Sequence, residues 1–341
     1  MNNQLSWIRS SSKGLELKAG NFYIDPLVSV QKALITHGHA DHARSGHKEV
    51  FATPETLAIM KLRYGNNFCL NAYSFNYYEK FEIDGISIYF APSGHVLGSA
   101  QIIMEYNGVK IIAAGDYKRQ YDPTCEPFEV IKADIFITEA TFGLPVFKHP
   151  DANIEVKKLL NSIDKFPSRS HVVGVYSLGK AQRLIKLIRL NGFNEIIYLH
   201  GSLLKMCELY EQFGFDFGKI EPATIKDKSG LCKDFYKGKL VLAPPSALSD
   251  RWSRRFPNPL ICLASGWMTV KQRSKQRGVE LPLIISDHAD WQDIFKTIDE
   301  VDPKEVWVTH GAEEAIIHEC NNRNRLAKAL SIVGYESEDE L

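Results

Sequence analysis

The chain has 341 residues, with 41 Lys and Arg against 41 Asp and Glu, and is 44% hydrophobic, 11% aromatic and 24% charged. These values sit near globular averages and argue against a disordered, fibrous or membrane-spanning class. No apolar run reaches the roughly 18 residues of a membrane helix. The opening Met1-Asn2-Asn3-Gln4-Leu5-Ser6 lacks the basic and apolar regions of a secretory signal, so a cytoplasmic enzyme is the expectation. The length predicts one large α/β domain carrying a second, inserted or appended, domain.

In chain order, residues 20–140 read as short apolar runs broken by turns. Strands are expected at Phe22–Ile24, Ala33–Ile35, Ile86–Phe90, Gln101–Tyr106, Lys110–Ala114 and Asp134–Thr138. Pro54-Glu55-Thr56 opens a helix, with proline at its start. Pro145 and Pro150 mark a change to alternating strand and helix. His171–Tyr176, Glu195–Leu199 and Lys239–Leu242 read as strands, Gly179–Leu190 and Leu203–Phe213 as helices. That pattern is a small open α/β unit.

After residue 260 the first pattern returns, with strands at Ile261–Ala264, Leu283–Ile285 and Glu305–Val308 and a closing helix at Glu313–Leu330. The expected organisation is a first domain in two parts, residues 1–144 and 261–335, interrupted by an insert over 145–260 and followed by an acidic tail over 336–341. The six cysteines, Cys69, Cys125, Cys207, Cys232, Cys262 and Cys320, form no C-x-x-C pair. They read as reduced thiols that pack as small hydrophobes. Net charge is zero but unevenly spread: residues 151–280 hold 22 basic and 12 acidic residues, the remainder 19 and 29. A basic middle between acidic flanks points to nucleic-acid contact by one part of the chain.

The strongest local signal is Thr36-His37-Gly38-His39-Ala40-Asp41-His42, directly after an apolar strand. Three imidazoles and a carboxylate within six residues suit zinc or a similar divalent ion, and burying them without such a partner would be costly. This H-x-H-x-D-H loop resembles the signature of the metallo-β-lactamase superfamily, whose fold is an αββα sandwich. The resemblance implies further ligands at strand ends. Ser93-Gly94-His95, Ala114-Gly115-Asp116 and Val308-Thr309-His310 follow in order. It implies that His37, His39 and His95 hold one metal, Asp41, His42 and His310 the other, and Asp116 both. Two divalent ions are implied, zinc expected and manganese the alternative. Asp25, after Phe22–Ile24, matches the family's early aspartate, which supports a ligand histidine from behind.

Thr138-Glu139-Ala140-Thr141-Phe142-Gly143 and Ser286-Asp287-His288-Ala289-Asp290 resemble the additional motifs of the β-CASP nuclease branch, in which a second domain interrupts the lactamase fold. Tyr176-Ser177-Leu178-Gly179-Lys180-Ala181-Gln182 resembles that domain's strand-to-helix turn. The resemblance covers nearly the whole chain. The compact insert, Trp7, the Thr36–His47 loop and Arg63-Tyr64 are most similar to the bacterial ligase-associated DNA exonucleases. It implies a DNA exonuclease in repair, with a DNA ligase and helicase of the same system as partners and no membrane contact. One departure matters: the Artemis group typically lacks the last metal histidine, whereas His310 is present, so cleavage polarity is not implied.

The implied catalytic residues are Asp41, Asp116, Glu139, His288 and Asp25, with His288 as the acid and Glu139 orienting it. Lys180, Arg183, Arg251, Arg254, Arg255, Lys271 and Arg273 are candidates for phosphate neutralisation, with Trp252 and Trp267 for base stacking. Two other functions suit the same metal loop: an RNA-processing β-CASP ribonuclease, and a small-molecule hydrolase of thioesters or lactones. The latter leaves Glu139, His288 and the basic insert without a role. A non-catalytic nucleic-acid-binding scaffold would not need the full ligand set.

Overall fold

A computed structural model describes residues 7–18, 21–224 and 233–330. The acidic tail and Cys232 lie outside the described residues. Two compact units are present, one built from the chain up to Lys148 and again from His288 onward, the other from His149 to Asp287.

The first unit contains two sheets. β1 (Ile8–Ser11), β2 (Gly14–Leu17), β3 (Phe22–Ile24), β4 (Lys32–Leu34), β5 (His47–Ala52) and β6 (Cys69–Ser74) are neighbours in that order, with α1 (Pro54–Tyr64) between the last two in sequence. Thr53 caps α1 through its side chain, and Pro54 opens it, as its fixed φ permits. The second sheet has β7 (Phe81–Ile83), β8 (Ile86–Pro92), β9 (Ala100–Tyr106), β10 (Val109–Ala113) and β11 (Ile135–Ala140), continued by strands from the end of the chain.

Strand alternation explains the layers. Ile86, Ile88, Ile102, Met104, Ile111 and Ile135 point to a core shared with Leu15, Leu17, Phe22 and Leu34 of the first sheet. Their neighbours Ile103, Ile112 and Phe136 point outward, into a second core with Ile294, Ile298 and Ile316. Ala33, Ile35, Val50 and Met60 form a third cluster on the far side of the first sheet. Helix, sheet, sheet and helix are therefore stacked in the αββα order. Strands buried on both faces read as continuous apolar runs, as β9 and β10 do.

The second unit holds α2 (Ala152–Lys165), β12 (His171–Gly174), α3 (Lys180–Leu190), β13 (Ile197–Leu199), α4 (Gly201–Gln212), β14 (Ile220–Pro222), β15 (Leu240–Ala243), α5 (Pro245–Leu248), β16 (Leu260–Ala264), α6 (Lys271–Gln276) and β17 (Leu281–Leu283). Among the described residues its six strands run parallel, ordered β14-β13-β15-β12-β16-β17. The expected boundary at 260 is wrong. The insert continues past it, because β16 pairs with β12 and β17 with β16, which keeps residues 261–287 in this unit. The strand expected at Leu283–Ile285 is Leu281–Leu283.

The first unit closes with α7 (Trp291–Val301), β18 (Glu305–Gly311), α8 (Glu313–Asn322) and β19 (Leu326–Ala329). A helix running to Leu330 is not found. Asn324 takes a left-handed φ of 59°, which breaks the helix, and residues 326–329 pair in parallel with β18. Cys69, Cys125, Cys207, Cys262 and Cys320 are free thiols. Among the described residues no helix is long and apolar enough to cross a membrane.

Candidate metal centre

Apart from His288, each chemical side chain of the first unit sits at or near a strand end. Asp25 follows β3 and the Thr36–His42 loop follows β4. The His95 loop joins β8 to β9, Asp116 follows β10, Glu139 lies near the end of β11, and His288 precedes α7. His310 lies within β18 but is pushed out of register. Glu139 pairs with Thr309 and Ala140 with Gly311, so His310 is the extra residue of a bulge, with φ at 60°. A bulge re-aims a side chain that regular pairing would turn elsewhere. The following Gly311 has φ 99°, and a Cβ there would collide with the Ala140 carbonyl oxygen.

These elements bring the imidazoles together. Ring centroids are 4.9 Å apart for His37 and His39, 4.7 Å for His37 and His95, 4.2 Å for His37 and His42, and 5.1 Å for His42 and His310. Asp116 lies among them. Its Oδ2 is 3.5 Å from Nε2 of both His37 and His42, 3.8 Å from His95 Nε2 and 3.9 Å from His288 Nδ1. Donor atoms fall into three mutually close groups sharing Asp116: with His37, His39 and His95; with His42 and His310; and with Glu139 and His288. Asp41 is outside these groups, although its Oδ2 is 3.6 Å from His42 Nε2.

Behind the rings lies a hydrogen-bonded support. Asp25 accepts the Thr36 N–H on Oδ1 at 2.8 Å and the Thr36 hydroxyl on Oδ2 at 2.6 Å, and Oδ2 is also 2.8 Å from His42 Nδ1. His37 Nδ1 is 3.0 Å from the same hydroxyl. Glu139 accepts the Tyr117 N–H at 2.8 Å with one oxygen, and its other oxygen is 2.8 Å from His288 Nδ1. Phe142 stands edge-on to the His288 ring at 6.0 Å. Thr36 and Tyr117 carry no chemical signature in the sequence. Position next to the ligand loops is the only signal that could have found them.

Electrostatics test whether a cation fits. Burial drives the His37 and His310 rings well below their ordinary pKa, and neighbouring histidines add to the effect. Burial and then Glu139 and Asp41 push Asp116 up to about 7, against the pull of His42 and His288. Burial opposes the charge on His42, but Asp116, Asp41 and Asp25 outweigh it and raise that ring to about 10. Neutral imidazole nitrogens and carboxylate oxygens are thus crowded into a buried space around Asp116. His37 Nε2 and Asp41 Oδ1 are buried without a hydrogen-bond partner. Imidazole and carboxylate donors in this state fit a divalent metal site.

In the second unit the basic side chains depart from expectation. Lys180 and Arg183 are buried and cannot lie along a solvent-facing strand path. Lys180 Nζ is 3.6 Å from Asp287 and stacks over Tyr176, while Arg183 bonds to the Ser286 carbonyl and lies 3.4 Å from Asp287. Their charge is spent holding Asp287, because the first turn of α3 faces the interior. Trp252 packs edge-on against His200 and Phe256, and Arg273 covers a face of Trp267 at 3.9 Å, so both indoles already have neighbours within the unit. Arg251, Arg254 and Lys271 are exposed, and Arg255 and Arg273 partly so.

An αββα sandwich with these imidazoles and carboxylates at its strand ends, interrupted by a parallel α/β unit, is the arrangement expected of the β-CASP branch of the metallo-β-lactamase superfamily, and the chain is similar to proteins of that branch. It is 27% identical over 318 residues to a probable DNA ligase of Opitutus terrae, a match taking in 90% of this chain and 29% of that protein. An RNase J-like protein of Methanocaldococcus jannaschii is 25% identical over 213 residues, 54% of this chain and 51% of that one. Cleavage and polyadenylation specificity factor subunit 3-I of Arabidopsis thaliana is 24% identical over 383 residues, 90% and 54% respectively. The chain thus spans about half or less of the length of these relatives. A crystal structure of a protein of unknown function from Enterococcus faecalis V583 shares the fold, with a TM-score of 0.57, 13% identity, and coverage of 87% of this chain and 78% of that chain. No family model matches the chain.

Proposed function

We propose that the protein is a metal-dependent nuclease that hydrolyses phosphodiester bonds, and more narrowly a cytoplasmic DNA exonuclease working in repair beside a DNA ligase and helicase. The observation that carries the nuclease reading is the third donor group, in which His288 is held by Glu139 against the Asp116 side of the centre. Metal binding alone would not require it.

In this reading His37, His39, His95 and Asp116 hold one ion, and His42, His310 and Asp116, with Asp41 beside them, hold a second. Zinc is expected and manganese is the alternative. Such ions, when bound, polarise a phosphoryl oxygen and acidify water. The protein's own groups do the rest. Asp25 and Thr36 fix ring orientation from behind. Glu139 engages His288 at Nδ1, which leaves Nε2 to give a proton to the departing sugar oxygen. Exposed Arg251, Arg254 and Lys271, with Arg255 and Arg273, are the remaining candidates for phosphate neutralisation.

DNA repair is favoured by the match over 90% of this chain to a protein named a probable DNA ligase. RNA processing is the second reading, favoured by relatives named endoribonuclease YSH1 and RNase J-like protein. End-labelled single- and double-stranded DNA and RNA, digested with zinc- or manganese-reconstituted protein, tests both. Stepwise ladders from DNA support the exonuclease, internal RNA fragments support the second reading, and turnover of thioesters with every nucleic acid left intact rejects both.

A further inference from the structure

We propose that Thr36 is a positioning residue whose one hydroxyl links the two halves of the metal centre, so that a single carboxylate, Asp25, fixes the Nδ1 hydrogen of an imidazole in each half. The proposal rests on the metal-site reading above. It follows from counting protons. A hydroxyl has one hydrogen, and an ionised carboxylate has none to give. The 2.6 Å separation of Thr36 Oγ1 from Asp25 Oδ2 is that of a hydroxyl donating to a carboxylate. With its hydrogen committed there, the Thr36 oxygen can only accept from His37 Nδ1 at 3.0 Å.

His37 therefore carries its hydrogen on Nδ1 and presents the Nε2 lone pair on the side of Asp116, 3.5 Å away. Asp25 Oδ2 takes the Nδ1 hydrogen of His42 directly, at 2.8 Å, which turns His42 Nε2 toward Asp116, also 3.5 Å away. His37 belongs to the donor group with His39 and His95, His42 to the group with His310. One chain of hydrogen bonds thus orients a ring in both.

Thr36 is also the point where other ligand-bearing segments meet. Its carbonyl accepts the Ala100 N–H, at the foot of the His95 loop, at 2.8 Å. Beside it, a Cβ on Gly115 would come within 2.8 Å of the Thr36 Cβ and 2.9 Å of its hydroxyl oxygen. Only glycine before Asp116 lets the hydroxyl reach both partners. Valine matches threonine in shape and lacks the acceptor; serine keeps it.

The test uses the full chain as wild type, Thr36→Val and Thr36→Ser. Long-range ¹H–¹⁵N spectra of the metal-free protein report the His37 tautomer, and titration of zinc against a chromophoric chelator reports affinity. The expected result is a wild-type His37 protonated on Nδ1. Zinc binding weakens by roughly 10- to 100-fold in the valine variant, and the serine variant stays near wild type. A wild-type His37 protonated on Nε2 overturns the proposal without needing any variant to fold. So does a folded Thr36→Val protein that binds zinc like wild type. Failure of wild type to bind zinc would instead reject the metal-site reading, while the tautomer measurement would still decide the role of Thr36.

Discussion

Glu139 and His288 come from opposite ends of the intervening unit in sequence, yet Glu139 Oε2 lies 2.8 Å from His288 Nδ1, and the other Glu139 oxygen is fixed by the Tyr117 N–H. A carboxylate in this position holds the ring and stabilises it when protonated. Replacing Glu139 with Gln keeps the shape and removes the charge. The expected outcome is a fall in kcat of about 100-fold with KM little changed, the size typical of impaired acid–base assistance. Steady-state kinetics on a labelled oligonucleotide, with metal content measured alongside, check it; an equal loss of bound metal would mean that Glu139 acts as a ligand instead.

Asp116 is common to all three donor groups. The substitution Asp116→Ala should abolish cleavage while leaving much of the affinity for a nucleic-acid strand, as judged by fluorescence anisotropy. Chelation should also lower the melting temperature, because a ligand present at a thousand times its dissociation constant stabilises the folded state by about 4 kcal/mol. Cleavage surviving in the alanine variant would contradict the mechanism.

Buried and exposed arginines of the second unit should behave oppositely. Arg183→Ala leaves Asp287 buried with one fewer cation, and a loss of about 3–5 kcal/mol is expected in a denaturant titration. Arg254→Glu with Arg255→Glu should change folding stability little. Instead, that pair should weaken strand binding and flatten its salt dependence, since each lost phosphate contact removes close to one unit of the log–log slope. Unchanged salt slopes would take both residues out of the strand path.

His171 gives the second unit a pH dependence. Burial, then the nearby Arg169, lowers its pKa from 6.5 to about 4. Its Nε2 is 2.9 Å from the Ser162 hydroxyl. Below about pH 6.5 the unfolded chain takes up a proton that the folded chain refuses. The stability contributed by the neutral ring is therefore complete above that pH and is lost as the pH falls toward 4. In thermal melts between pH 7 and 4.5, His171→Gln should shrink the loss by about 1–3 kcal/mol. Identical pH profiles for the two proteins would remove His171 as the cause.

Chemistry confined to neighbouring residues is legible in the sequence. The His37–His42 loop announces itself because four donors follow one apolar strand, and the apolar runs of β8 to β11 mark strands because both of their faces are buried. Charge, by contrast, misleads. Lys180 and Arg183 look like a basic helix face, but residue type does not say which turn of a helix is buried, and their partner Asp287 is about a hundred positions away. The short strand β19 is hidden for a similar reason: Leu326–Ala329 suits a helix, and only pairing with β18 makes it a strand.

Sequence alone determined which atoms could bind a cation and the strand ends that would carry them, since ligand chemistry and strand periodicity are properties of short segments. Tertiary structure decided how those atoms are oriented. The bulge that turns His310, the hydroxyl shared by Asp25 and His37, and the hold of Glu139 on His288 all depend on contacts between separate strands. Hydrogen-bond direction is set by distances of a few tenths of an ångström between such strands, and no local pattern encodes them.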